Sequence, residues 1–185
     1  MNNAEWRENI EKFKELVLYV SQKSVDDPRF GATKLNKILF FSDFLAYASL
    51  GQPITAVEYQ KLENGPAPRR LVPIRNAMVE ARELAVQPVQ LRSGKVQNRT
   101  VNLRKPNLSL FSAAEIALVD DVIDALRNAD AETVSEISHK MMGWKITRLN
   151  DTIPYETVFL SGEPLTEIEK QRALEVAADY GLVTA

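Results

Sequence analysis

Between Lys34 and Leu50 the chain carries Leu35, Ile38, Leu39, Phe40, Phe41, Phe44, Leu45 and Tyr47. At 3.6 residues per turn these side chains occupy most of a helix circumference, so the segment is the central helix of a core and needs cover on more than one side. Thr33 stands where an N-cap belongs, Gly51 supplies the C′ position, and Pro53 prevents continuation.

The remainder of the chain has to supply that cover. From Ala4 to Gln22, Trp6, Ile10, Phe13, Leu16, Val17 and Val20 recur every three or four residues, which predicts a helix with one buried face. Asp26-Asp27-Pro28 breaks it. Residues 54–63 read as extended and end in a turn at Asn64-Gly65-Pro66-Ala67-Pro68; a third helix begins at Pro68 or at Pro73, with Leu71, Ile74, Met78 and Ala81 inward. Val86–Arg92 and Asn98–Arg104 alternate in character around Ser93–Gln97 and predict a hairpin whose buried face holds Val89, Leu91, Val101 and Leu103, with Pro88 at an edge. Ser112-Ala113-Ala114-Glu115 is a capping-box sequence opening a helix to about Arg127. Asp130 caps a shorter helix to Met141, with Val134, Ile137 and Met141 inward and Gly143 as its stop. Residues 144–161 are irregular, and Thr166–Glu169 opens a last helix that ends at Gly181. The expected architecture is a mainly helical α+β fold with a small antiparallel sheet, in one domain over residues 1–185.

Trp6 and Trp144 read as core or rim aromatics. With 45% hydrophobic and 26% charged residues the composition is that of a globular chain. There is no cysteine, so disulfides, thiolate catalysis and sulfur-ligated zinc are excluded, in keeping with a cytoplasmic location. The start is charged from Glu5 onward and no apolar run approaches the roughly 18 residues of a membrane span, which disfavours secretion and membrane insertion.

The net charge of −2 conceals a basic middle: residues 64–107 hold nine basic and two acidic side chains, whereas residues 108–185 hold six basic and fourteen acidic. The asymmetry either neutralises itself within one fold or marks contact with nucleic acid or an acidic partner. Arg69, Arg70 and Arg75 on the third helix, with Arg92, Lys95 and Arg99 on the hairpin, are where a helix-and-wing DNA reader would carry its phosphate contacts. Pro68 and Pro73 at the front of that helix, where base contacts usually originate, speak against it.

Catalytic chemistry finds few supports. His139 is the single histidine, Asp26-Asp27 and Asp120-Asp121 lack calcium-loop spacing, and no glycine-rich phosphate loop exists. Ser135 and His139 share a helical face, but without the strained elbow of a hydrolase nucleophile a structural hydrogen bond is the better account. No arginine lies within seven residues before His139, so the arginine–histidine motif of small helical ribonucleases is absent. Asp43, inside the apolar helix, reads as a paired or hydrogen-bonded buried carboxylate. Neither a bound metal, nor a cofactor, nor hydrolytic activity is expected.

Three blocks carry a resemblance: Thr33-Lys34-Leu35-Asn36-Lys37-Ile38-Leu39-Phe40-Phe41-Ser42-Asp43, then Tyr59-Gln60-Lys61-Leu62-Glu63-Asn64-Gly65-Pro66, then Val134-Ser135-Glu136-Ile137-Ser138-His139 with Trp144 five residues on. In order and spacing, over residues 30–160, they are similar to the SocA-like Panacea family of antitoxin domains, common in bacteria and their phages. The family usually has leucine where Val134 stands. The resemblance implies binding, not catalysis: such domains neutralise toxins, usually encoded beside them, by direct complex formation, and one branch delivers its toxin to an AAA+ protease. Gly65, Pro66, His139 and Trp144 fall on motif positions; the first two read as a turn that positions a helix, and His139 and Trp144 are the candidate partner-binding residues. The expected function is an antitoxin whose partner is a cognate toxin encoded nearby; the alternative is a winged-helix-like regulator on operator DNA, and an enzyme of unknown class stands third.

Overall fold

The computed structural model describes residues 7–91, 93–163, 166–168, 170–172 and 175. Trp6, Arg92 and Gly181 lie outside them, as does most of the last predicted helix. Helix α1 (Ile10–Lys23) starts at Asn9, whose side chain accepts from the Lys12 amide. Helix α2 (Ala32–Leu50) is capped by Gly31 and ends at Gly51 in the left-handed conformation, φ 78°. Thr33 is therefore not the cap but sits inside the first turn. As its sequence demands, α2 is covered on several sides: α1 and α4 (Ala113–Leu126) pack against it, together with the β1–β2 hairpin and α5 (Ala131–His139). Phe40 stacks on Phe44 at 4.2 Å and Phe44 on Tyr155 at 4.6 Å, extending the core towards residues 155–159, a 3₁₀ turn.

The first hairpin departs from the expected turn. Strands β1 (Tyr59–Leu62) and β2 (Gly65–Pro68) pair antiparallel around the two residues Glu63 and Asn64, so residues 65–68 are a buried strand. Pro66 faces Lys61 and Pro68 faces Tyr59, while Gly65 faces Leu62 and Ala67 faces Gln60. With a two-residue loop the hydrogen-bonded pairs are the Gly65 and Ala67 pairs, which leaves both prolines where no N–H is required. The other edge of β1 is used as well: Lys61 N–H donates to Asp151 at 3.0 Å, Asn150 N–H to Lys61 at 2.8 Å and Ile153 N–H to Tyr59 at 2.8 Å.

Helix α3 (Leu71–Glu80) starts between the two expected prolines, with Arg70 at the cap and Pro73 inside the first turn; Ala81, expected inward, is its exposed C-cap. Strands β3 (Leu84–Gln90) and β4 (Val96–Asn102) form the second hairpin, two residues earlier than expected. Its tightest burial is at Leu84 and Thr100, whereas Leu103 is exposed, because the loop is 91–95, with Gly94 at φ 82°, and Val96 and Gln97 belong to the strand. The capping box at Ser112 and Glu115 opens α4, and Asp130 caps α5 by accepting from the Thr133 amide. Ser138, not Ile137, turns inward from α5. Gly143 does not stop a helix but sits within α6 (Met142–Ile146), where a Cβ would collide with Thr157 and lie 2.8 Å from Ile153. Within the described residues no helix is long and apolar enough to cross a membrane.

Candidate functional site: a cleft around the first hairpin turn

The three sequence blocks, far apart along the chain, converge on the β1–β2 turn. From α2, Lys37 is 1% exposed and donates to the carbonyls of Asn64 at 2.5 Å and Pro66 at 3.2 Å. From α5, the Ser135 hydroxyl directs its single proton to the Ala131 carbonyl at 2.8 Å or to the same Asn64 carbonyl at 3.1 Å, so it has no bond to His139 and no catalytic dyad forms. Between these helices Gly65, at φ +94°, touches both: an added Cβ would lie 2.7 Å from Lys37 Cε and collide with Ser138 Oγ. Both the conformation and the close approach require glycine there.

His139 stacks on Trp144 with ring centroids 3.9 Å apart and planes 19° from parallel. Trp144 Nε1 donates to the Leu62 carbonyl at 3.1 Å, and the Lys61 ammonium lies 4.2 Å from the indole centroid while donating to Thr147 at 3.0 Å. The result is a half-buried cation–indole–imidazole stack pinned to the hairpin. Burial pushes the His139 pKa below its ordinary value, and the charge of Lys37 adds to this. His139 Nε2 is shut off from solvent without a hydrogen-bond partner among the described residues.

Other charged groups also sit inside the fold. Asp43 is fully buried and accepts from the Thr55 amide at 2.7 Å, Thr55 Oγ1 at 2.5 Å and the Tyr59 hydroxyl at 2.8 Å. Burial pushes its pKa up to about 6 against the opposing pull of those bonds. It is the hydrogen-bonded structural carboxylate its sequence context predicts. Lys34, also 1% exposed, pairs with Asp27 at 2.7 Å. Lys37 has no acidic partner among the described residues, and burial pushes its pKa down to about 8. Neither Asn36 nor Lys37 stood out from sequence as a site residue; the available signal was a lysine within the apolar circumference of α2, where a charge needs a reason.

Several side chains of the basic stretch are engaged within the fold. Arg69 contacts Glu58 at 3.2 Å, Asn150 O at 3.0 Å and Thr152 Oγ1 at 3.0 Å. Arg70 pairs with Glu8 at 2.9 Å, and Arg99 donates to the carbonyls of Val25 at 3.0 Å and Asp27 at 2.8 Å. Arg75 is half-buried with Nε unpartnered, Lys95 is exposed on the hairpin loop, and Arg92 lies outside the described residues. Arg104, on the same stretch, bridges Glu15 at 2.6 Å and Glu83 at 2.9 Å. Arg69, Arg70 and Arg104 are thus matched by acidic groups of the same fold, and Arg99 is held by carbonyls.

Residues 35–145 match the family model described as antitoxin SocA-like, Panacea domain, which spans more than half of the chain. The chain belongs to that family. No curated protein and no solved structure gives a significant match.

Proposed function

We propose that this chain is an antitoxin that neutralises a protein toxin by binding it directly, through the surface built around the β1–β2 turn and the His139–Trp144 stack. The observation that carries the reading is family membership over residues 35–145, a span that contains each residue of that stack and turn. The geometry supports binding over catalysis: Ser135 is spent on carbonyls, Asp43 on Thr55 and Tyr59, and His139 on an aromatic stack. A half-buried tryptophan next to a lysine and a histidine has the composition of an interface anchor.

The test is co-expression of the full chain with the product of the adjacent gene. The expected result is co-purification of a complex burying about 1,200–2,000 Å² together with rescue of growth. Trp144→Ala should abolish rescue; an unchanged melting temperature makes Trp144 a contact residue, and a lowered one makes it part of the hairpin's packing. Neither complex nor protection with any adjacent candidate would overturn the reading. The half-life of the toxin separates two modes: shortening that depends on an AAA+ protease identifies an adaptor, and an unchanged half-life identifies occlusion.

A further inference from the structure

We infer that the cleft between the first turns of α2 and the β1–β2 turn is the docking site for an acidic peptide segment of the bound toxin, with its carboxylate at Lys37 and a backbone N–H at Asn36. This rests on the binding reading above. The cleft has a volume of about 490 Å³ and is lined by Thr33, Asn36 and Lys37 on the helix, the hairpin turn, and Leu149 and Asn150 opposite. That size is in the range of natural ligand clefts.

Two features call for a ligand, and they call for different halves of one. Lys37 is a buried ammonium whose partners are carbonyl dipoles, so its net charge stays uncompensated and favours an incoming anion. Asn36 Oδ1 is an acceptor cut off from solvent with no donor among the described residues, which is costly until one arrives. The first turn of α2 carries no acidic residue and no side-chain cap, so the positive end of this helix adds to the preference for negative charge. A small inorganic anion would satisfy Lys37 and leave Asn36 wanting. A peptide with an aspartate or glutamate brings both a carboxylate and an N–H. Of the neighbouring charges, His139 and Lys61 are engaged in the aromatic stack, with His139 near enough to feel the charge of Lys37, and Glu63 on the exposed rim opposes an acidic ligand.

The full chain is titrated with acetyl-aspartyl-glycinamide and with acetyl-asparaginyl-glycinamide, followed by amide NMR shifts. The acidic peptide should give saturable shifts at Asn36, Lys37 and Asn64, and the neutral one should bind about tenfold more weakly or less. Asn36→Asp, nearly isosteric, adds a negative charge to the cleft wall; it should repel the acidic peptide, remove the shifts and weaken toxin capture by about tenfold or more while the amide spectrum stays that of the folded chain. Glu63→Gln should act the opposite way and tighten the acidic peptide, a reversal that a merely structural role does not produce. Absence of saturable shifts, equal binding of both peptides, or undiminished toxin capture by Asn36→Asp overturns the proposal. Saturation of the cleft by the acidic peptide in a chain that captures no toxin supports the cleft's chemistry and places the failure with the antitoxin reading.

Discussion

The two flanks of the first turns of α2 handle the same problem in opposite ways. On the flank facing the loop after α1, Lys34 meets Asp27 at 2.7 Å and the Arg127 carbonyl at 3.0 Å, so its charge is neutralised within the chain. On the flank facing the β1–β2 turn, Lys37, equally buried, meets carbonyls alone. A neutralised buried charge fixes structure; an uncompensated one leaves an electrostatic demand that something outside the chain can meet. Burial by itself therefore does not distinguish a framework residue from a binding residue, whereas the identity of the partner does.

The largest expected effect lies on the neutralised flank. Asp27→Ala leaves the Lys34 ammonium buried without an anion and should cost about 3–5 kcal/mol in chemical denaturation; a loss below about 1 kcal/mol would mean that the two flanks do not differ. Next comes a pH effect confined to the other flank. Lys37 titrates at about 8 in the fold and near 10.5 unfolded. Between those values the unfolded chain holds the extra proton, so stability should rise with pH from about 8 to 10.5, by about 3 kcal/mol, and Lys37→Met should flatten that rise. At pH 7 Lys37→Met itself should cost about 1–3 kcal/mol, chiefly through the Pro66 carbonyl since the Asn64 carbonyl keeps the Ser135 hydroxyl beside it, and less than Asp27→Ala because no charge is left behind. The smallest effects belong to the basic hairpin. Arg99→Ala frees the carbonyls of the loop that carries Asp27 and should cost about 1–2 kcal/mol, whereas the exposed Lys95→Ala should change stability by less than about 0.5 kcal/mol. Binding to DNA with a salt slope that Lys95→Ala flattens would reveal a use for the hairpin outside the fold.

The parts legible in the sequence are those governed by local rules. The all-round apolar run of α2, the left-handed Gly51, the reciprocal caps at Ser112 and Glu115 and the Asp130 cap each follow from neighbours within about four residues, and each is found in the structure. The failures need distant partners. Residues 65–68 looked like a turn because two prolines discourage a strand, yet both fall at positions of the ladder that make no bond, and α2 and α5 cover them. The second hairpin lies two residues earlier than its alternation predicts because Val96 and Gln97 pair with Gln90 and Val89 rather than forming the loop. At the site, His139, Trp144, Gly65 and Pro66 were legible through their motif positions. Asn36 and Lys37 were not singled out, because what makes them stand out is the absence of a carboxylate and of a donor nearby, and an absence in space leaves no mark on a pattern in sequence.

The double-sided bonding of β1 sets how much of this protein is portable. The stretch that matches the family ends at residue 145, but the backbone groups on the outer edge of β1, the Lys61 N–H and the carbonyls of Lys61 and Tyr59, are satisfied by residues 150–153. Tyr155, just beyond, packs on Phe44 and hands its hydroxyl proton to the Val57 carbonyl at 2.7 Å. A chimera cut after the matched stretch would inherit the β1–β2 turn with the outer edge of β1 stripped of its partners, and unpaired backbone groups are costly enough to unmake a four-residue strand. The smallest piece that can be grafted with its shape intact therefore includes Tyr155, and in any transplantation between proteins the junction belongs after the 3₁₀ turn, residues 155–159, that it opens.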